Sequence, residues 1–145
     1  MTERRCRTTC AFCRIASRND SSVHIELEKE AVMLFKDIRP KAKYHYQCIP
    51  KRHIKNINHL TSLDVNLLTD MKACAVEFLS QENQSPDDFR FGFHRPPFNS
   101  VQHLHMHILG PEHSVNQWNP MFNPFWKVFI PFDTVIARVE TENRS

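Results

Sequence analysis

The sequence predicts an α+β domain in which a short N-terminal helix precedes a five-stranded antiparallel meander sheet, itself interrupted by one long helix. Three observations support this fold class. Short segments alternate apolar and polar residues, as half-buried strands do. One longer segment repeats apolar residues every three or four positions, which is typical of an amphipathic helix. Proline or glycine follows most of the strand-like segments.

Four predicted elements precede the long helix. Residues 10–16 mix apolar and basic side chains at helical spacing and predict a short helix. Residues 23–28 alternate cleanly and predict a half-exposed strand, and residues 31–35 predict a more apolar strand. Residues 44–49 predict a third strand, which Pro50 ends because proline lacks the backbone donor that a sheet ladder needs.

The long helix begins after Thr61 or Ser62, either of which can cap it, and runs to about Gln81. Residues 89–93 then predict a fourth strand and residues 101–109 a fifth, with a proline-containing loop between them. The apolar face of the helix comprises Leu63, Leu67, Leu68, Met71, Ala75, Phe78 and Leu79.

The chain divides into a tail, one domain and an extension. Residues 1–9 are polar and arginine-rich, without the apolar run of a secretory signal, and predict a disordered tail. Residues 10–111 hold all the predicted helices and strands and form the domain. Residues 112–145 carry too many large aromatic side chains for a solvated tail, so we expect this extension to pack on the domain or on a partner subunit.

The composition excludes several classes of protein. Hydrophobic residues make up 41% of the chain and charged residues 24%, which fits a folded globular protein. The net charge of +3 is too small to argue for a surface that binds nucleic acid. No apolar stretch approaches the roughly 20 residues that span a membrane. Five cysteines at irregular spacing suggest no disulfide framework, so we expect a reducing compartment, the cytoplasm or also the nucleus.

Three histidines at positions 103, 105 and 107 alternate with apolar residues. On a strand they would share one face, with Leu104 and Met106 on the other. The pattern has three interpretations: packed imidazoles, a metal site formed by two of them, or covalent catalysis in which the central imidazole attacks an electrophile such as phosphorus. One ion bound by all three is disfavoured, because the outer pair would lie about 13 Å apart along the backbone.

Residues 103–109, HLHMHIL, resemble the signature of the histidine triad (HIT) family, in which three histidines alternate with apolar residues. FKDIRP at residues 35–40 and IPKRHI at residues 49–54 are similar to that family in order and spacing. The loop GFHRPPF at residues 92–98 resembles the third vertebrate subgroup of its adenosine phosphoramidase branch. The resemblance spans the predicted domain and implies a HIT-like fold. It also implies a two-fold homodimer whose sheets continue across subunits, with higher oligomers left open.

The resemblance implies hydrolysis of AMP phosphoramidates to AMP without a catalytic metal. His105 would be the nucleophile that attacks the α-phosphorus and forms a nucleotidyl-histidine. His107 and Ser100 would bind phosphate oxygens, with Asn99 as a further donor. Asp37 would bind the ribose hydroxyls, and apolar side chains would sandwich the base. The apolar set is Phe12, Phe35 and Ile38.

Other functions stay open at this stage. One is hydrolysis of dinucleoside polyphosphates or of adenylated nucleic-acid ends, although the small net charge disfavours the second substrate. Another is a nucleotide-binding scaffold with little turnover. Residues 94–99 also depart from the family pattern, since they lack glycine and contain Pro96 and Pro97, which supply no backbone N–H to a phosphate.

Cys10 and Cys13 form a Cys-x-x-Cys pair, which is a common half of a zinc site. Family members with this pair complete the site at the positions of His53 and His103, so the resemblance implies a structural Cys₂His₂ zinc site. Small apolar residues at a helix start, or a redox pair, are the alternatives. If both histidines bind zinc, they cannot relay protons behind the nucleophile. A leaving group would then be protonated by water, by substrate or by His107.

The remaining histidines carry weaker signals. His94 lies in the loop near the triple-histidine segment and is a candidate ligand contact. The others are single imidazoles on predicted strand surfaces or turns, and we expect solvated or packing residues there. This set comprises His24, His45, His59 and His113.

Overall fold

A computed structural model of the protein describes residues 10–142, so the tail predicted at residues 1–9 lies outside the described residues. None of the helices in this part of the chain is long and apolar enough to cross a membrane. The helices are α1 Ala11–Ala16, α2 Val65–Gln81 and α3 Phe132–Thr141. The strands are β1 Ile25–Glu28, β2 Val32–Lys36, β3 Tyr44–Pro50, β4 Arg90–His94, β5 Met106–Gly110 and β6 Phe129–Pro131.

The six strands form one sheet in the order β1-β2-β3-β5-β4-β6, and every neighbouring pair is antiparallel. The predicted α+β class with an antiparallel sheet is therefore confirmed. The sheet is a meander only through β3, because β5 pairs with both β3 and β4. It also has six strands rather than five, since β6 comes from the predicted extension.

The cap that the sequence predicts at Thr61 lies one 3₁₀ turn before the long helix, which itself has no side-chain cap. The Thr61 side chain accepts from the backbone N–H of Leu63, and the Asp64 carboxylate accepts from that of Thr61. This reciprocal pair forms a capping box, which satisfies N–H groups that have no partner within a helix. It caps a 3₁₀ turn over Ser62–Asp64, so α2 itself begins at Val65.

A hydrophobic core packs against each face of the sheet. The larger core lies under α2, and the histidines lie on the opposite face. Leu104, Met106 and Ile108 pack in the core under α2, together with side chains of that helix such as Leu68 and Met71. This confirms the predicted alternation of the segment. Side chains from the opposite face of β2 and β3 form the second core with α1, made of Phe12, Ile15, Met33, Phe35 and Ile49.

The extension supplies both β6 and α3. β6 pairs with the outer edge of β4, through Phe93 opposite Ile130 and His94 opposite Phe129. The apolar face of α3 joins the core under α2, through Phe132, Val135 and Val139. Neither element was predicted. For β6 the reason is its length, since three residues are too few for alternation to show in a strand. The spacing of the α3 residues was a detectable helical signal.

Candidate active site

The fifth strand begins later than the sequence predicts. A strand is expected over residues 101–109, yet β5 begins at Met106, so His103 lies in a bend and His105 in the irregular segment before the strand. The physical reason is a competing hydrogen bond, because the Leu104 N–H donates to the Ile54 carbonyl at 2.6 Å. The ladder with β3 therefore starts only at Met106.

The position of His105 leaves one ring nitrogen ready to attack. Its Nδ1 lies 2.8 Å from the carbonyl oxygen of His103, and because a carbonyl can only accept, Nδ1 carries the proton. In the neutral ring Nε2 is then unprotonated and nucleophilic. Burial lowers the pKa of His105 to about 4, although the His103 carbonyl opposes the shift, so the neutral form persists at neutral pH. The Phe12 ring packs edge-on against His105, with 5.0 Å between centroids.

His45 and His107 form a hydrogen-bonded pair on neighbouring strands. The backbone N–H of Lys41 donates to His45 Nδ1 at 2.9 Å, so His45 carries its proton on Nε2. That Nε2 lies 2.9 Å from His107 Nδ1, which therefore accepts, and the proton of neutral His107 lies on its Nε2. His107 Nε2 is buried and has no hydrogen-bond partner among the described residues. The pair thus presents one N–H donor in the site.

The neutral state of this pair follows from burial. Burial lowers the pKa of His45 to about 4, although the neighbouring Asp37 carboxylate opposes the shift. Burial likewise holds the pKa of His107 well below its usual value, and the neighbouring imidazoles of His105, His94 and His45 add to the shift. The Nε2–H donor of His107 is therefore that of an uncharged imidazole at neutral pH.

Asp37, which the sequence assigned to ribose, is buried and already hydrogen-bonded. Its Oδ1 accepts from the Arg39 N–H at 2.7 Å, and its Oδ2 accepts from the Gln47 side-chain amide at 2.6 Å. Oδ2 also lies 3.4 Å from His45 Nε2 and 3.8 Å from His107 Nδ1. The carboxylate therefore holds the floor of the site, and each oxygen keeps capacity for a further hydrogen bond.

Asp37, His45 and His107 bring three ligand atoms within 4.8 Å of one another, as in a metal site. The hydrogen bonds argue for another arrangement. His45 Nδ1 is occupied by the Lys41 N–H, so a metal on Nε2 would have to displace the remaining ring proton. The cluster is better explained as a chain of hydrogen bonds that ends at the His107 donor.

Sequence reasoning missed one imidazole of this site and identified another, His94, only as a candidate ligand contact. His45 was expected to be a solvated or packing residue, but it is 1% exposed and is bonded to His107. His94 lies with its ring centroid 4.6 Å from that of His107, and burial lowers its pKa. A signal for His45 was present in the hairpin register. Phe35 pairs with Gln47, which brings Asp37 opposite His45, and the Asp37 N–H donates to the His45 carbonyl.

The residues predicted to bind phosphate lie in different environments. Asn99 is buried, its amide nitrogen lies 3.4 Å from the Val101 carbonyl, and its Oδ1 has no partner in the described part of the chain. Ser100, the next residue, is exposed. Asn99 also lines a small cavity together with His94 and His105.

The three residues predicted to hold the base are not equivalent. Phe12 and Phe35 are buried, with 5.5 Å between their ring centroids, and belong to the core beside α1. Ile38 is 87% exposed on the turn after β2. Phe12 thus forms one wall beside His105, whereas Ile38 is free to contact a ligand at the surface.

The four predicted zinc ligands converge. His103 Nδ1 lies 3.5 Å from Cys10 Sγ, 3.4 Å from Cys13 Sγ and 3.2 Å from His53 Nδ1. Cys13 Sγ lies 3.3 Å from His53 Nδ1. Zn–N bonds of about 2.1 Å and Zn–S bonds of about 2.3 Å in a tetrahedron separate the ligand atoms by roughly 3.3–3.8 Å. The observed separations of 3.2–3.5 Å lie at or just below the short end of this range, so the four ligand atoms are close enough together to hold one tetrahedral zinc ion.

The second ring nitrogen of His103 supports the same geometry. Its Nε2 lies 2.9 Å from the Pro50 carbonyl and so donates, which leaves Nδ1 unprotonated and turned toward the cysteines. Burial lowers the pKa of His103 to about 4, so this ring is neutral, as a metal ligand must be. In the structure Cys13 is disulfide-bonded, which the sequence did not predict. Ligation through its Sγ requires the reduced thiol.

Comparison with known proteins agrees with this architecture. A family model described as scavenger mRNA decapping enzyme C-terminal binding matches residues 9–121. A solved HIT family hydrolase from Legionella pneumophila superposes with a TM-score of 0.66 at 33% identity, over 70% of this chain and 92% of that chain. The chain belongs to the histidine triad family.

Two relatives within the histidine triad family carry named activities. The Xenopus tropicalis protein "Adenosine 5'-monophosphoramidase HINT3" is 35% identical over 136 residues, which cover 91% of this chain and 88% of that protein. The Arabidopsis thaliana protein "Bifunctional adenosine 5'-phosphosulfate phosphorylase/adenylylsulfatase HINT4" is 42% identical over 100 residues, which cover 68% of this chain and 67% of that protein. Both names describe an activity on an adenosine 5'-phosphoryl compound.

Proposed function

We propose that this histidine triad protein hydrolyses the P–N bond of adenosine 5'-phosphoramidates and releases AMP. The observation that carries the proposal is the bond from His105 Nδ1 to the His103 carbonyl, which leaves Nε2 unprotonated beside a buried N–H donor. The similarity to the Xenopus adenosine 5'-monophosphoramidase supports the choice of substrate.

In the first step the lone pair of His105 Nε2 attacks the α-phosphorus, and the bond from phosphorus to the amine breaks. The amine leaves with that bonding pair and takes its proton from water, so His107 keeps the Nε2–H that binds the phosphate oxygen. In the second step water attacks the phosphorus, the bond to His105 Nε2 breaks, and the water proton passes to solvent. Each step exchanges one ligand of phosphorus, so two moderate barriers replace one high barrier.

The His45–His107 pair would stabilise the charge on phosphorus during both steps. Its Nε2–H donor is buried and has no partner among the described residues, so a non-bridging phosphate oxygen could accept from it. Because neighbouring hydrogen bonds already fix both rings, the donor needs no reorganisation when the substrate arrives. Asn99 and Ser100 are proposed to bind the remaining phosphate oxygens.

Nucleoside binding would use the floor and one wall of the site. Asp37 is proposed to accept from the ribose hydroxyls with the capacity that its present partners leave free. Ile38 is proposed to cover the base from the surface, opposite the wall that contains Phe12 and Phe35.

His105→Ala tests the nucleophile. We expect release of amine from an AMP–amine reporter to fall at least about a hundredfold, since the variant lacks the proposed nucleophile of the covalent intermediate. His24→Ala, which removes an exposed histidine far along the chain from the triad, should retain wild-type turnover. Turnover that survives His105→Ala would contradict the assignment. Tight AMP binding with negligible wild-type turnover would instead favour a nucleotide-binding scaffold.

A second candidate function is cleavage of adenosine 5'-phosphosulfate. The 42% identity to the Arabidopsis adenylylsulfatase favours it, and the same attack on the α-phosphorus would release sulfate instead of an amine. Sulfate leaves without a proton, so no general acid is needed. Parallel assays with both substrates separate the two functions, because the larger kcat/KM identifies the preferred substrate.

We also propose that Cys10, Cys13, His53 and His103 hold a structural zinc ion when Cys13 is reduced. The support is the match of the ligand-atom separations to a tetrahedron and the unprotonated Nδ1 of His103. With four protein ligands the metal would have no open position, so it would stabilise the fold and take no part in bond cleavage.

A further inference from the structure

The C-terminal extension contacts the imidazole cluster from within the same chain. His94 Nε2 lies 2.6 Å from the Met121 carbonyl, and because the carbonyl can only accept, Nε2 carries the ring proton. His94 Nδ1 then has no proton, so the neutral ring offers no donor to a phosphate oxygen. Burial lowers the pKa of His94, which favours this neutral form. Any effect of His94 on catalysis therefore acts through the residues that it contacts.

The next residue of the extension, Phe122, packs against three imidazoles at once. Its ring centroid lies 5.2 Å from that of His45, 4.8 Å from that of His94 and 5.1 Å from that of His107. The planes of Phe122 and His45 meet at 89°, and those of Phe122 and His107 at 81°, which is the favourable edge-to-face arrangement. Phe122 thus covers both rings of the hydrogen-bonded pair.

Phe122 is itself held in place. It is 5% exposed and packs in a small core with Leu109, Val115 and Phe129. Arg90 Nη1 donates to the Phe122 carbonyl at 2.7 Å, and the same guanidinium pairs with the Glu112 carboxylate. The ring therefore lies in a fixed wall rather than in a mobile loop.

The extension also holds the loop that leads to the predicted phosphate donors. The Arg95 N–H donates to the Val128 carbonyl at 3.0 Å, and Arg95 Nε donates to the Lys127 carbonyl at 2.6 Å. β6 pairs with His94 at the start of this loop. One segment of the chain thus fixes both the imidazole pair and the first residues of the loop that ends at Asn99.

We propose that the Met121–Phe122 segment is a positioning element for phosphoryl transfer, which holds His94 and His107 so that the His107 Nε2–H donor points into the site. The proposal rests on the phosphoramidase function proposed above. Without the Phe122 ring, water could enter beside His45 and His107 and offer each nitrogen an alternative partner. A fraction of the molecules would then carry the His107 proton on Nδ1 and lose the phosphate donor.

Phe122→Leu tests the role of the ring, since it keeps an apolar side chain and removes the edge-to-face contacts. We expect kcat to fall at least about tenfold, with KM within about threefold of wild type, because misplacement of a group that acts on the transition state lowers kcat. Phe125→Leu is the matched control, because Phe125 lies in the same extension and is 78% exposed. It should retain wild-type kcat.

Histidine ring ¹⁵N chemical shifts give a readout that packing alone would not move. In the wild type we expect His107 to show a protonated Nε2 and an unprotonated Nδ1, and in Phe122→Leu both shifts should move toward the tautomer average. The acid limb of the pH profile should also move to higher pH, because hydration raises the pKa of the buried His45 and His107 rings that Phe122 covers. The titratable groups that surround His107 are Asp37, His45, His94 and His105.

A pair of His94 variants keeps the proposal testable if Phe122→Leu fails to fold. His94→Gln retains an N–H for the Met121 carbonyl and should keep kcat within about threefold of wild type, whereas His94→Leu should lose at least about tenfold. Equal losses in both would overturn the positioning role of His94. Wild-type kcat and ¹⁵N shifts in a folded Phe122→Leu would overturn that of Phe122. Absence of phosphoramidase activity in the wild type would defeat the proposed function, while the ¹⁵N shifts would still test the positioning.

Discussion

His45 Nε2 lies 2.9 Å from His107 Nδ1, and the backbone N–H of Lys41 fixes which of the two rings donates. The hydrogen-bond chain therefore has one direction, from the backbone through His45 to His107. Its last member is a buried N–H without a partner among the described residues. A donor that is already desolvated and oriented is worth more to a developing negative charge than a donor in water.

Substitution of His45 should lower the rate of catalysis although the proposed nucleophile, His105, is unchanged. We expect His45→Gln to lower kcat by about 10- to 100-fold, which is the range for loss of a partner that orients a functional histidine. His113→Gln is the control, because His113 is exposed on a turn after β5. Steady-state kinetics on the AMP–amine reporter measure both variants. An unchanged kcat in His45→Gln would show that His107 needs no orienting partner.

Acid should destabilise the fold through the buried imidazoles. His45 titrates near pH 6.5 in the unfolded chain, and burial lowers its folded-state pKa to about 4. Between these values the unfolded state binds more protons, so the free energy of unfolding rises with pH across the window. The stabilising effect of the neutral ring is complete above pH 6.5 and is lost as the pH falls toward 4.

Thermal unfolding across this pH window measures the effect. We expect Tm to fall from about pH 7 to about pH 5, with a smaller slope in His45→Gln, because that variant lacks one of the titrating groups. One buried histidine contributes at most about 1.4 kcal/mol per pH unit. An identical slope in both proteins would assign the acid sensitivity to other groups.

Zinc should bind in the reduced protein at one ion per chain. Cys10→Ser or His53→Ala should lower the zinc content measured by elemental analysis after reduction, and each should lower Tm in the presence of the metal. His24→Ala is the matched control, since it removes an exposed histidine outside the cluster. Full zinc content in Cys10→Ser would contradict the four-ligand site.

Gly92→Ala should loosen the contact between β4 and β6. A Cβ at residue 92 would lie 2.6 Å from the Ile130 carbonyl oxygen and 2.5 Å from the Phe129 ring. Because that oxygen is backbone of β6, relief requires the strand to move. We expect a loss of about 1–3 kcal/mol in the free energy of unfolding, as for overpacked cores, measured by urea denaturation. A loss below about 0.5 kcal/mol would show that β6 shifts freely.

Much of the fold could be predicted because it depends on local patterns. Alternation located β1 to β4 and the helical repeat located α2, each to within a few residues. The start of β5 could not be predicted, because the Leu104 N–H bonds to the Ile54 carbonyl, which lies on a distant segment. A strand as short as β6 shows no period in the sequence, whereas the buried residues of α3 do recur at helical spacing.

The candidate site likewise has residues that a local motif predicts and residues that only distant contacts bring in. The positions of His105 and His107 follow from a local motif, and the structure brings them together with 5.1 Å between their ring centroids. The roles of His45, His94 and Phe122 depend on contacts between residues far apart in sequence, for which a single chain gives little local signal. The zinc ion, the homodimer and the cytoplasmic or nuclear location stay predictions.

The pairing of β6 with β4 also bears on self-association. Within residues 10–142, β6 covers the side of β4 that would otherwise offer free backbone donors and acceptors. What it presents in turn is a strand of three residues that ends at Pro131, which has no N–H to donate. β6 would therefore form few backbone hydrogen bonds with a strand of a second copy that extended the sheet here. Sheet-to-sheet joining of two subunits is therefore directed to β1 at the opposite border, or else requires β6 to detach.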